Sequence, residues 1–366
     1  MSMKKWTLIL ASGALCFFSM GHFLDFVSSQ PVSPQAPLAV PYYSPPTHME
    51  LCGERVPLDT QDAKERFDRE FTIVVYSHAQ VYLWLKRLER YFPFIEKQLS
   101  ANKLPGDLKY VAVAESDLLT SACSPAGAAG PWQFIPSTGS NYGLDQSKLI
   151  DERHDFELAT GSAFRYLKDL HDLFQNWTLA IAAYNCGEKR VEGELKRQKV
   201  STYYALKLPL ETERYIFRIL AIKEVLSNPQ RYGYSMPKEA AYPPLPADRV
   251  KVSLPCAMPV QTVSEAAGMT YRDFKIMNPS FISDSIPAGS YNMKVPAGKG
   301  GELQSRLQAA KVEYKPQPKS ISHKVKKGET LSGIAAHYGV SAQDVRQLNG
   351  IKGDRVKIGQ ALKITK

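Results

Sequence analysis

The sequence has no CxxC pair and no Cys/His spacing of the kind that holds zinc, so no metal site is expected. It also has no long basic run, although its 366 residues carry a formal net charge of +10. Lys and Arg are spread along the chain and none of the usual nucleic-acid-binding signatures is present, which argues against a nucleic acid as partner. A basic surface still suits an anionic lipid or an acidic cell-wall polymer. From Asp59 to Asn228 there is no run of alternating apolar and polar residues, so strands are not expected there.

What is present fits a soluble protein with a real core: 44% of residues are hydrophobic and the mean hydropathy is −0.28. The length allows two or three domains. Lys4 and Lys5 precede an apolar run from Trp6 to about Met20, the layout of an export signal, and residues 1–29 read as a signal peptide or an uncleaved membrane anchor. Cys16 invites a lipoprotein reading, but Leu15 stands where a lipidation motif wants Gly or Ala. Residues 30–58 open on a stretch rich in Pro, Ser and Gln that cannot pack a core and reads as a tether. Past the signal remain Cys52, Cys123, Cys186 and Cys256, an even number that permits two disulfides in an exported chain or leaves four buried thiols.

Residues 59–235 read as one all-α domain. Phe156, Ala159, Ala163, Tyr166, Leu167, Leu170 and Phe174 recur at helical spacing with charges between them. Pro209 is placed to open a further helix whose first turn holds Glu211 and Glu213, where the helix dipole favours acid. A Pro-rich linker over 236–250 leads to an internal repeat. Val260, Val263, Gly268, Asp273, Phe274, Met277 and Asn278 align at one constant offset with Leu331, Ile334, Gly339, Asp344, Val345, Leu348 and Asn349. The fold class is therefore mainly α: an all-α domain, then two small βααβ modules at 250–298 and 321–366, separated by a linker at 299–320.

The chemistry concentrates between Ala114 and Pro136. Glu115 follows the apolar turn Tyr110-Val111-Ala112-Val113-Ala114, where a carboxylate can be desolvated and its pKa raised to suit a general acid. Gly127-Ala128-Ala129-Gly130 has little bulk and lets backbone approach a large ligand. Trp132, Gln133 and Phe134 offer apolar faces and an amide to a sugar. On these residues alone, a solvated glutamate at a helix end followed by a plain loop is the better reading, because glutamates at helix ends are usually solvated.

Glu115-Ser116, followed by Ser124-Pro125-x-Gly127-Ala128-x-Gly130-x-x-Gln133-Phe134-x-Pro136, resembles the signature of the family 1 lytic transglycosylases, relatives of goose-type lysozyme. Ala183-Tyr184-Asn185-x-Gly187 and Pro209-x-Glu211-Thr212-x-x-Tyr215 resemble two further family blocks, in the expected order. The resemblance implies a lysozyme-like fold and Glu115 as the single acid/base. It implies Ser124 near the substrate N-acetyl group, Ser116, Gln133, Phe134 and Ile135 along the sugar cleft, Tyr184 near the catalytic carboxyl, and Asn185 in support. Glu211 and Tyr215 match late cleft residues; the plain alternatives are a first-turn glutamate and a core aromatic. Asp117 is expected to be solvated, so only one carboxylate is on hand where a standard glycosidase uses two. The implied reaction is cleavage of the β-1,4 bond between MurNAc and GlcNAc of peptidoglycan with a 1,6-anhydro product, without water and without a cofactor. A hydrolase of the same bond and a non-catalytic peptidoglycan-binding protein are the alternatives. If the blocks meet in one cleft, Cys123 and Cys186 are candidates for a disulfide. The expected protein is a monomer of the bacterial envelope, attached to a membrane if the N-terminal segment stays on.

The second module, with Gly328-Glu329-Thr330-Leu331 at its start and Leu348-Asn349 later, resembles a LysM module. That resemblance implies binding of N-acetylglucosamine-containing glycans near Gly328, Thr330, Leu331 and Ile351. The first module departs from the pattern: Pro255-Cys256-Ala257-Met258-Pro259 replaces the glycine-led loop, which puts its glycan binding in doubt.

Overall fold

A computed structural model describes residues 40–313, 320–351 and 353–365, so residues 1–29 and the first part of the tether lie outside the described residues. Pro45–Lys366 form one unit, distinct from residues 40–44. After a short hairpin of β1 (Glu50–Leu51) and β2 (Glu54–Arg55) come eight helices: α1 (Gln61–Val75), α2 (His78–Ala101), α3 (Lys109–Ser116), α4 (Pro136–Asn141), α5 (Phe156–Phe174), α6 (Trp177–Cys186), α7 (Glu188–Gln198) and α8 (Leu210–Ser227).

Local sequence explains how these helices start and which faces they bury. The Asp155 carboxylate accepts from the backbone N–H groups of Glu157 and Leu158 and so caps α5, whose apolar stripe of Ala159, Ala163, Leu167 and Leu170 is buried. Asn176 caps α6 in the same way. Helix α6 is buried from Thr178 through Ala183, and α8 buries Tyr215, Ile216, Phe217 and Ile219 to Ile222. A helix apolar on all sides belongs in the middle of a domain, and α8 does pack on α1, α3 and α6. Pro209 stands one position earlier than expected, just before the first helical residue. Among the described residues no helix is long and apolar enough to cross a membrane.

The tail continues with β3 (Ala247–Leu254), β4 (Met258–Pro259), α9 (Val260–Ala266), α10 (Tyr271–Met277), β5 (Ser285–Ile286), β6 (Gly289–Pro296), α11 (Leu303–Glu313), β7 (Ser320–Lys324), α12 (Leu331–Tyr338), α13 (Ala342–Asn349) and β8 (Ala361–Thr365). Strand β3 pairs antiparallel with β6, and β7 with β8. The repeat carries the same devices in both copies. Thr270 caps α10 through the Asp273 N–H, and Ser341 caps α13 through the Asp344 N–H. Asn278 exchanges two hydrogen bonds with the backbone of Lys294 (2.7 and 2.8 Å), and Asn349 does so with Lys363 (2.6 and 2.7 Å). Each asparagine thus pins its second helix to its last strand.

Both expected linkers are structured over their described residues. Within 299–320, α11 buries Leu303 and Leu307 in the core of the first module, so residues 303–313 complete the module where a linker was expected. Within 236–250, the Tyr242 N–H donates to the Lys86 carbonyl (2.7 Å) and Arg90 donates to the Pro243 carbonyl (2.9 Å), which ties the segment to α2. The first module is docked as well. The Asp151 N–H donates to the Ser280 carbonyl (2.8 Å), Ile150 pairs with Phe281, and Arg249 lies 2.5 Å from Glu157.

Candidate active site

Helix α3 ends where its candidate acid sits. Its buried face of Tyr110, Val111, Ala112 and Val113 carries Glu115 into the middle of the helical domain. The chain then turns sharply: Asp117 (φ 57°) and Leu118 (φ 62°) both have positive φ. Asp117 is not solvated as expected. Its carboxylate accepts from the Trp84 indole N–H (2.7 Å), which offsets the left-handed conformation and turns the group away from the cleft. Ser116 is buried too, donating to the Pro131 carbonyl (2.7 Å), so it braces the following loop and does not face a ligand.

The loop from Ala122 to Phe134 folds on itself. Cys123 pairs with Ala129 and Ala129 with Phe134, while the Ser124 hydroxyl accepts from the Ala128 N–H (3.0 Å). Gln133 (φ 48°) donates from its amide to the Gly130 carbonyl (2.8 Å). A residue that the motifs did not single out clamps this loop. Arg153 is buried and donates to the carbonyls of Gly127 (2.7 Å) and Phe134 (2.8 Å), and it pairs with buried Asp151 (2.7 Å). Burial pushes the Asp151 carboxyl up, but its bonds to Arg153 and the guanidinium charge hold it below the usual range. The disulfide is not formed. Cys123 and Cys186 are free thiols, Cys123 exposed on the loop and Cys186 half-buried against Thr212. The loop is held by Arg153 instead.

Glu115 opens onto a cleft of about 890 Å3. Of the predicted residues, Ser124, Gln133, Phe134, Ile135, Tyr184, Asn185 and Glu211 line it with Glu115; Ser116 and Tyr215 do not. Tyr215 lies behind the acid on α8, fully buried, and its hydroxyl donates a short hydrogen bond to Glu115 Oε1. Tyr184 donates to the Trp132 carbonyl (2.7 Å) and its ring packs 5.2 Å from that of Tyr166. Asn185 accepts from the Thr212 hydroxyl (2.8 Å), and Glu211 is exposed, 3.5 Å from Arg218. Thr138, Tyr166, Glu188 and Arg190 also line the cleft. Tyr166 had been legible only as one more residue of a helical stripe.

Burial raises the Glu115 carboxyl; the Tyr215 bond lowers it, nearby Glu211 raises it and Arg218 lowers it, and the balance is a pKa pushed up from 4.5 to about 7. Burial and the Glu115 charge push the Tyr215 phenol well above its ordinary value, so it stays a neutral donor. Arg218 is itself placed by Glu70 of α1, which is buried and accepts from Arg214 Nε (2.7 Å) with Arg218 3.8 Å away. Such an arrangement can deliver a proton near neutral pH and take one back, the requirement of general acid–base catalysis. Tyr215→Phe removes a bond that favours the ionised acid, so the Glu115 pKa is expected to rise. The falling limb of the pH–rate profile, where the acid loses its proton, should then move to higher pH with the protein still folded; an unmoved limb would mean the hydroxyl does not tune the acid.

In the second module Leu331 is fully buried and presents no free side chain to a glycan, while Ile351 is partly buried against the core. Thr330 caps α12 through the Gly333 N–H (3.1 Å), and Gly328 (φ 87°) shapes the turn before it. Among the described residues no cluster of three His, Cys, Asp or Glu side chains could hold a metal ion.

Residues 92–206 match the transglycosylase SLT domain family, and residues 323–365 match the LysM domain family. Membrane-bound lytic murein transglycosylase D of Escherichia coli K12 is 34% identical over 292 residues, covering 76% of this chain and 64% of that protein. The protein of the same name from Escherichia coli O6:H1 matches to the same extent. The chain therefore spans just under two thirds of these relatives. Among solved structures, the 70 kDa soluble lytic transglycosylase SLT70 of Escherichia coli matches with a TM-score of 0.34 and 22% identity, over 48% of this chain and 30% of that one.

Proposed function

Because the chain carries a transglycosylase SLT domain and a LysM domain, we propose that it is a lytic transglycosylase that cleaves the β-1,4 bond between MurNAc and GlcNAc of peptidoglycan, with Glu115 as the only acid/base. The observation that carries this reading is a single desolvated carboxyl, raised to about 7, that meets the cleft with a neutral phenol behind it.

That geometry supports the following steps. Protonated Glu115 gives its proton to the glycosidic oxygen as the C1–O bond breaks, and the substrate's own N-acetyl group stabilises the developing cation. The carboxylate left behind keeps the Tyr215 hydrogen bond and takes the proton of the MurNAc C6 hydroxyl. That oxygen attacks C1 and closes the 1,6-anhydro ring. The proton count balances and water is not consumed. Ser124, its hydroxyl hydrogen-bonded to the Ala128 N–H, stands at the cleft wall for the N-acetyl group. Glu211 and Asn185 line the same cleft and are available to other sugars of the strand. The LysM module would hold the enzyme on glycan strands and raise its effective concentration there. The N-terminal segment would export the chain to the envelope.

Mass spectrometry of products from purified sacculi tests the reading. Muropeptides one water lighter than reducing-end products are expected from the wild type. Reducing ends would make the protein a hydrolase and point to Glu188 or Glu211, the other carboxylates at the cleft. Sacculi bound but uncut would make it a binding protein.

A further inference from the structure

A second cavity, of about 680 Å3, lies where the first module docks on the helical domain, and its size falls in the range that buries a small ligand. One wall is aromatic: the Phe156 ring packs 4.6 Å from that of Tyr91 and 5.5 Å from that of Phe94. Leu245, Ile276 and Met277 add aliphatic surface.

The charge at this cavity is one-sided. Five cations line it, Arg90, Arg249, Arg272, Lys275 and Lys294, against one carboxylate, Glu157. Glu157 is already engaged, 2.5 Å from Arg249 and 3.2 Å from Lys294. Lys275 and Arg90 donate only to neutral backbone carbonyls, of Phe281 and Ser283 and of Pro243. Arg272 is exposed, and among the described residues no carboxylate lies within ion-pair distance of it. Asp284 acts on Lys275 from beyond ion-pair distance, so among the described residues Arg90 and Arg272 are the two charges left with no carboxylate within ion-pair distance, beside an apolar wall. A neutral sugar would leave them unmatched; an acidic peptide with small apolar side chains answers both features.

The cavity also shares its supports with the cleft. Phe156 lines the cavity and Tyr166 the cleft, ten residues apart on α5 or about 15 Å along its axis. Thr120 and Ser121 line the cavity, and Ser124 of the same loop lines the cleft. We propose that this cavity is a second subsite, which takes the carboxylate-bearing peptide of peptidoglycan while the glycan lies along Glu115. This rests on the reading of peptidoglycan as substrate. It also gives the first module, whose glycine-led loop is missing, a task other than glycan binding.

The test is binding of a sugar-free probe, fluorescently labelled L-Ala-γ-D-Glu-meso-diaminopimelate-D-Ala, to the full chain, followed by anisotropy at low salt. Binding is expected, equal in the wild type and in Glu115→Gln, and weaker as salt rises. The double variant Arg272→Glu, Ile276→Glu changes two exposed side chains, so it should keep the fold, and it is expected to weaken binding at least about 10-fold. No binding to the wild type, or undiminished binding to the double variant with its circular dichroism unchanged, would overturn the proposal. The probe needs no turnover, so the two readings fail separately. Anhydro products without peptide binding remove only the subsite, and peptide binding without anhydro products removes only the transglycosylase.

Discussion

Glu115→Gln is expected to slow glycan cleavage by about 10²–10⁴-fold, the span that a positioned general acid–base contributes, and to make the protein more stable at the same time. Gln keeps the shape of the side chain but neither gives nor takes a proton at these pH values. The stability effect follows from linkage. The Glu115 pKa is raised in the folded chain from 4.5 to about 7, so the folded state binds the proton more tightly than the unfolded state. That favourable contribution is complete below about pH 4 and is lost as the pH rises through about 7. Above it, the folded chain carries an ionised carboxylate with little water around it, at a cost of about 3 kcal/mol as an upper figure. Gln never bears that cost. Urea unfolding at pH 8 should therefore favour the variant, and the gap should close by about pH 4. Equal midpoints at pH 8 would show that the carboxyl is better solvated than its surroundings indicate.

Gly130→Ala should be the most damaging small change in the loop. Its φ is +80°, and an added Cβ would stand 1.7 Å from the Arg153 carbonyl oxygen and 2.6 Å from the carbonyl carbon. Both are backbone atoms, so no side chain can swing aside. The positive φ costs roughly 1–2 kcal/mol for an L-residue, and separating the two backbones adds to it; a loss of at least about 3 kcal/mol is expected. Arg153 carries the bonds to the carbonyls of Gly127 and Phe134, so Ser124, Gln133 and Phe134 would shift with it. A displacement near 1 Å costs on the order of 10²-fold in rate. Gly127→Ala is the control, because φ is also +80° there but nothing lies within 4 Å of the added carbon. Its loss should stay within the roughly 1–2 kcal/mol of the positive φ alone. If the two variants unfold at the same urea concentration, the close approach at Gly130 is not what holds the loop.

The motif blocks located the cleft, yet they misplaced two of its members. Ser116 sits beside Glu115 in the chain, but successive helical residues point about 100° apart, so it turns into the core and bonds to Pro131. Tyr215 had a fair alternative as a core aromatic; it is buried as such a residue is, and still touches the acid. Arg153 and Asp151 left no trace, because a buried ion pair two residues apart in a loop has no periodicity. The linker at 299–320 was misread for a related reason. Its composition is polar, and a few residues bind α11 to the first module: Leu303, Leu307 and Ala310 by packing and Gln304 by hydrogen bonds to the Ser253 backbone.

By itself the sequence determined what depends on near neighbours along the chain. It set where the helices lie, how Asp155, Asn176, Thr270 and Ser341 cap them, that the tail is one unit used twice, and that a carboxylate follows an apolar turn. Propensity, capping and repeat spacing act within a few residues, so they can be read in one dimension. Only the tertiary structure decided what Glu115 can do. Its raised pKa needs the surrounding core, and the bond from Tyr215 comes from 100 residues away. The same holds for the Arg153 clamp and for the cationic cavity at the docked module. Burial and charge are sums over segments that meet only when the chain has folded.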